Sequence, residues 1–269
     1  MWTRAELKDK AKDILKTTYW KSLLVSIIIA FAGGGGGGSV ASTQGSGNTD
    51  QFNYEDYSGL GTTIDWNAFL REYLPVIIIG IIIFLVIILF ILSLRIFLGF
   101  PLEIGGRKFF VQGAREDANL NYMGYAFNKD RYFNIIKTMF LKGLYTFLWT
   151  LLFIIPGIIA AYSYYMVPYL LTDNPGMGSK RVIQLSKELT QGHKLDIFVL
   201  ELSFIGWYIL CFIPAYIGII NGWFLLDFAA MIGIFLIAPY VNATKAQLYL
   251  KLRNYGIENG ITTEEELIQ

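Results

Sequence analysis

Three ionisable side chains fall inside long apolar runs of this chain: Arg95, Glu201 and Asp227. An unpaired charge in hydrocarbon costs about 2.5–3.5 kcal/mol even on the lenient insertion scale, so such residues are binding or transport candidates by default. Arg95 and Glu201 each lie about six residues from the cytoplasmic end of their run, roughly 9–12 Å deep at the helical rise. Equal depth and opposite sign predict an ion pair joining the second and fifth spans, or else a polar lining for a ligand. Asp227 has no basic residue at its depth. With Asn221 and Trp223 nearby, it either lines an outward-facing cavity or lies at a thinned interface. Glu103, just after Pro101, reads as the cap of a new turn, Asp196 as a boundary charge, and His193 beside Lys194 as a solvated surface residue. Tyr162, Tyr164, Tyr165, Tyr169 and Tyr240 read as packing and interface-belt residues.

These residues assemble into no recognisable reaction centre. No Ser-His-Asp, Cys-His or paired-carboxylate arrangement emerges, which argues against an enzyme. One cysteine, Cys211, and one histidine make neither a disulfide nor a zinc or iron site of the usual kinds, so neither metal nor cofactor is expected. The six glycines at 33–38 are not followed by G-K-[ST] and are not a phosphate loop. Basic residues are interleaved with acids, which argues against nucleic acid as a partner.

The elements that must position these groups are membrane helices. The chain is 54% apolar and only 16% charged, with a mean hydropathy of +0.47, against about a quarter charged in a soluble domain. The sequence reads as one all-α membrane domain, a polytopic helix bundle over residues 1–269. Residues 3–20 form an amphipathic interfacial helix, opened by a Thr3–Glu6 capping box, with Leu7, Ala11, Ile14 and Leu15 on its apolar face. Span 1 follows at 21–38, fraying across the glycines, then an acidic Gly/Ser-rich extracytoplasmic loop at 39–74, with Asp65 as a cap for a helix from Trp66. Span 2 is 75–100, ended by Pro101 and Gly105-Gly106, and leads into a polar cytoplasmic segment at 101–137. Spans 3 and 4, at 138–155 and 157–172, make a hairpin whose structural turn is Pro156-Gly157. After the turn signature Asp173-Asn174-Pro175-Gly176 comes an amphipathic helix at 179–191, closed by Gly192. Spans 5 and 6 are 195–213 and 221–242. A cytoplasmic tail occupies 244–269, its helix stopped by Gly256, with a second capping box at Thr262–Glu265.

Orientation follows from the basic residues. Twenty of the 22 Lys and Arg fall in the N-terminal segment, 103–142, 172–194 and the tail, which puts both termini in the cytoplasm with six spans. The hairpin also has an echo. Trp149 to Pro156 in WTLLFIIPG recurs as Trp207 to Pro214 in WYILCFIPA, and the returning helices carry Pro168-Tyr169 and Pro239-Tyr240. These could be parallel repeats or a chance likeness of Ile/Leu/Pro-rich helices. Pro214 is on the first reading a second structural turn.

The segments MWTRAELKDKAKDILKTTYWKSLLVS, LWTLLFIIPGIIAAYSYYMVPYLLTDNP, LSKELTQGHKLDIFVLELSFIGW and APYVNATKAQLY resemble an uncharacterised family of integral membrane proteins of Gram-positive bacteria, filed as domain of unknown function nine-seven-five. More distantly, they are similar to the membrane domain preceding some bacterial glycerophosphodiester phosphodiesterases. The resemblance implies a multi-pass protein of the bacterial cytoplasmic membrane and brings no ligand or activity. The metal-binding carboxylates and histidines of those phosphodiesterases have no counterpart in these segments, so their activity does not carry over. The expectation is a non-catalytic scaffold or accessory protein binding membrane lipids, another membrane protein or itself. The alternatives are a small transporter or channel using Arg95, Glu201 and Asp227, and, less well supported, a lipid-active enzyme.

Overall fold

The computed structural model describes residues 2–33, 66–221 and 224–268, and the side chains of these except at 66–70, 219, 221 and 224–229. The expected fraying at 34–38, the acidic loop up to Asp65 with its proposed cap, and the side chains of Asn221, Trp223 and Asp227 lie outside the described residues. Among the described residues all regular structure is helical. The helices are α1 (Arg4–Phe31), α2 (Trp66–Leu94), α3 (Phe100–Gly113), α4 (Lys129–Leu152), α5 (Ile154–Ser163) and α6 (Val167–Asp173). After them come α7 (Ser179–Thr190), α8 (Lys194–Asn221), α9 (Phe224–Glu258) and α10 (Glu264–Leu267). A π-helical turn at Arg95–Gly99 precedes α3, and a 3-10 segment at Leu120–Phe127 precedes α4. Among the described residues five helical stretches are long and apolar enough to cross a membrane: Arg4–Phe31, Arg71–Gly113, Lys129–Leu152, Ile154–Asp173 and Lys194–Gly218.

The chain forms two units, residues 36–94 and the remainder. The described part of the first is α2, whose helix runs through Pro75. In the larger unit α1 is a single helix, so the expected interfacial helix and first span are continuous. Thr3 caps it by accepting the Glu6 amide at 3.2 Å, and Gly33, at a φ of +79°, ends it in the left-handed region that glycine favours. Leu7, Ala11 and Leu15 are buried as their spacing requires. They pack against protein, chiefly α9 and α3, rather than against headgroups.

The largest difference from the sequence reading is α3. Residues 101–113 were expected as a polar cytoplasmic segment after helix-breaking glycines. They form instead a buried helix antiparallel to α1, with Gly106 against Ile29 and Val25, and Gly113 near Ile14. Gly105 admits the Met123 backbone, and Gly106 makes room for the Ile29 side chain. A Cβ on Gly105 would lie 2.4 Å from the Met123 carbonyl oxygen. Gly105→Ala is therefore expected to destabilise the fold by about 1–3 kcal/mol, the usual cost of overpacking. Gly143, on α4 with nothing within 4 Å, is the control: Gly143→Ala should be neutral or gain about 0.5–1 kcal/mol. Thermal unfolding in detergent measures both.

The central hairpin forms, with its break three residues before the expected turn. Phe153 is extended (φ −158°, ψ 149°) between α4 and α5. Pro156 lies in the first turn of α5, where its missing N–H is no loss, and a Cβ on Gly157 would strike Thr150 at 2.4 Å. Pro214 is not a turn: it lies inside α8, as Pro239 does inside α9. The two sequence echoes thus occupy different structural positions. Gly192, at a φ of +81°, follows α7 as expected, and Val182, Leu185 and Leu189 are its buried face. Gly256 does not stop α9. It admits Leu189, 2.4 Å from where its Cβ would be, while Gly260 takes the positive φ.

The tail is clasped onto the helices. Its cap is Thr263, which accepts the Glu266 amide at 3.2 Å, one residue later than the expected box. Arg181 of α7 donates to both Glu266 oxygens, at 2.6 and 3.0 Å, and Asn174 donates to the Glu266 carbonyl at 2.9 Å. The hydrogen bonds from Arg181 hold the Glu266 carboxyl below its ordinary range. A depressed carboxylate contributes its stabilisation above the unfolded pKa, about 4.3, and loses it as pH falls through the folded value. Proteolytic release of the tail should thus be slow at pH 7 and should accelerate as pH drops below about 4.3. Glu266→Gln should be fast throughout.

Candidate functional site

The charged residues of α3 lie against apolar neighbours, and each finds a partner within a few turns. Glu103, 3% exposed, accepts from Arg107 Nε at 3.1 Å and Nη2 at 2.8 Å through one oxygen. Its other oxygen accepts from Arg95 Nη2 at 3.3 Å. Arg95 emerges from the π-helical turn and also donates to the Gly33 carbonyl at 2.8 Å. Its approach depends on glycine: a Cβ on Gly33 would lie 2.6 Å from Arg95 Nε, and one on Gly99 would lie 2.9 Å from Nη1. Arg107 donates onward to the Tyr169 hydroxyl at 2.7 Å.

Tyr169 stacks on Tyr249 of α9 with ring centroids 5.5 Å apart, and the Tyr249 hydroxyl donates to Asp173 at 2.8 Å. Burial pushes the Tyr249 phenol well above its ordinary pKa, so it remains a donor. Asp173, at the end of α6, is a second hub. Arg115 reaches both its oxygens at 3.2 and 3.1 Å, and Arg253 of α9 lies 3.2 Å away. A line of polar contacts therefore runs from the end of α1 through α3 and α6 to α9.

A third carboxylate, Glu201 of α8, accepts from Tyr165 at 2.8 Å and Lys245 at 3.0 Å through one oxygen, and from Tyr162 at 2.8 Å through the other. Charge-assisted bonds of this kind are roughly twice as strong as neutral ones. The two ionic groups are neighbours: Lys142 of α4 is within electrostatic reach of Glu103, Arg107, Arg95 and Lys245.

Arg95 and Glu201 therefore do not pair with each other. Arg95 pairs through Nη2 with Glu103, eight residues along its own chain segment, and Glu201 with a lysine from the helix beside it. Mutational coupling should follow the pairs that form. Glu201→Gln should lower stability by about 2 kcal/mol, less than the 3–5 of a fully buried pair because Glu201 is 24% exposed. Lys245→Met should restore part of the loss in a double mutant, and Arg95→Leu should not. Detergent melting curves of the four variants test this.

Other readings also shift. Glu103 is a buried ion-pair partner as well as a first-turn acid. His193 is not solvated: it packs edge-on against Tyr255, with centroids 5.0 Å apart, because α9 continues past it. Tyr162, Tyr165 and Tyr169 pack, as expected, and their hydroxyls also belong to the ionic groups. Asp227 and Asn221 cannot be placed, because their side chains lie outside the described residues. Arg107, Lys142 and Lys245 were not singled out from the sequence, and Glu103 and Asp173 only as a cap and a turn residue. Glu103 and Arg107 had a signal, since E-x-x-x-R puts the two side chains on one helix face. Among the described residues no group of three His, Cys, Asp or Glu is placed to hold a metal.

Residues 150–255 match the family described as "Protein of unknown function (DUF975)". The matched stretch takes in α5 to α8 and most of α9, and with them Tyr162, Tyr165, Tyr169, Asp173, Glu201 and Lys245. Arg95, Glu103, Arg107 and Lys142 precede it. No curated protein and no solved structure matches the chain.

Proposed function

We propose that this protein is a multi-pass protein of the bacterial cytoplasmic membrane, with six crossings and both termini inside. It acts as a non-catalytic scaffold that holds a lipid or a membrane partner. The observation that carries this reading is the occupancy of its buried carboxylates. Both oxygens of Glu103, Glu201 and Asp173 accept from cations or phenols. A general base needs a lone pair presented to substrate, and these three carboxylates serve instead as joints between helices. Around the joints, α4, α5 and α8 expose Leu151, Ile154, Ile155 and Trp207 among many apolar side chains, the surface that lipid or a membrane partner would cover.

Topology is tested with single cysteines at the N-terminus or in the 39–74 loop, on a Cys211→Ser background, and an impermeant maleimide on intact cells. The loop should label and the terminus should not. The scaffold role is tested by native mass spectrometry after gentle extraction from the native membrane. A stoichiometric lipid or protein supports it. A bare protein that carries solute flux in liposomes would replace it with the transporter reading.

A further inference from the structure

We propose that the cationic group around Glu103 is a binding site for one phosphate-type anion, with Arg95 and Lys142 as its open side. This rests on the membrane-scaffold reading and specifies the chemistry of what is held.

The argument begins with charge. Lys142 lies within electrostatic range of Arg95, Arg107 and Lys245, and the carboxylates that pair with cations of this group among the described residues are Glu103 and Glu201. Among the described residues four cations thus accompany two carboxylates in an apolar surround, where an uncompensated charge is costly. The excess falls on identifiable atoms. Arg95 Nη1 is buried and has no hydrogen-bond partner among the described residues, although Nη2 has two acceptors. Lys142 Nζ has no ion-pair or hydrogen-bond partner among the described residues. Lys142 and the rest of the Arg95 side chain are partly exposed, so the group borders an accessible surface with the buried Nη1 just inside it.

A guanidinium and an ammonium within electrostatic range of one another suit a tetrahedral oxyanion: the planar fork orients it and the ammonium adds a point charge. Glu103, fully engaged by Arg107 and Arg95, holds the fork in place without filling it. A phosphodiester headgroup carries one negative charge and a free phosphate up to two, so either offsets the excess. A neutral zwitterionic headgroup brings its own cation and does not.

The test uses the full-length protein, delipidated in neutral detergent. Thermal stability is measured with added phosphatidylglycerol, phosphatidylcholine or inorganic phosphate. Phosphatidylglycerol should raise the melting temperature and phosphatidylcholine should not. A rise with inorganic phosphate as well assigns the site to the phosphate group itself, whereas a rise with the lipid alone assigns it to a membrane headgroup. Lys142→Met removes an unpaired charge, so the lipid-free protein should be as stable as before or more so. Its apparent affinity for phosphatidylglycerol should fall roughly ten- to a hundredfold, the worth of one charge-assisted contact. Lys129→Gln, at the exposed start of the same helix, should bind like the wild type. Equal stabilisation by phosphatidylcholine, or an unchanged response in Lys142→Met, overturns the site. If another lipid or a protein still copurifies at fixed stoichiometry, the scaffold reading survives that failure.

Discussion

Glu103→Gln is expected to cost about 3–5 kcal/mol of stability, the range for removing one partner of a buried ion pair. Glutamine preserves volume and can still accept one hydrogen bond, so the loss is electrostatic. Arg107, 8% exposed, would keep its charge and its bond to the Tyr169 hydroxyl at 2.7 Å but lose the carboxylate that now balances it. Arg95 would retain the Gly33 carbonyl. The decisive comparison is the double mutant Glu103→Gln/Arg107→Met. Removing the stranded charge should recover most of the loss, whereas two additive losses would show that the pair is not coupled. Because Arg95 closes the gap between α1 and α3, Glu103→Gln should also speed proteolysis near Gly33. Melting curves and limited digestion in detergent give the two readouts.

Asp173→Asn is expected to cost about 3 kcal/mol or more, because one carboxylate serves Arg115, Arg253 and Tyr249 together. The side chain is 3% exposed, so water does not replace what is lost. The effect should also spread along α9. With Asp173 neutral, Arg253 is left with Glu264, 3.8 Å away and 68% exposed, a weak substitute. Hydrogen exchange should therefore rise at the end of α9 and in α10 before it rises in α4. Arg115→Lys is the milder companion, since one ammonium cannot span both carboxylate oxygens.

Most helices were legible because their signals are strong and local. The apolar runs of α4 and α8, the Thr3 cap, the Gly192 stop and the buried face of α7 all follow from spacing alone. The ionic core was not legible, for one physical reason. Depth along the apolar runs points an intramembrane charge to a partner of equal depth on another span. Arg95 and Arg107 instead share a carboxylate on their own chain segment. That local pairing is what lets α3, which reads as polar, lie buried beside α1. Gly105-Gly106 was ambiguous in the same way, since a glycine pair that ends helices elsewhere is here the close contact between them. Lys245 was assigned to the tail by its position after the last apolar run. The hairpin register that sets Gly233 against Cys211 also carries Lys245 to Glu201, and register is visible only once the hairpin is built.

The Glu103–Arg107 pair lies within one turn of one helix, whereas Lys245 and Glu201 belong to different helices. The first pair can therefore close as soon as that turn has formed, so its two charges are matched before α3 meets any other helix. The second must wait until α9 has followed α8 out of the ribosome and folded back on it. Of these two carboxylates Glu201 then goes longer without its counter-charge during synthesis, and a chain cut short before Lys245 would display that carboxylate to quality-control proteases.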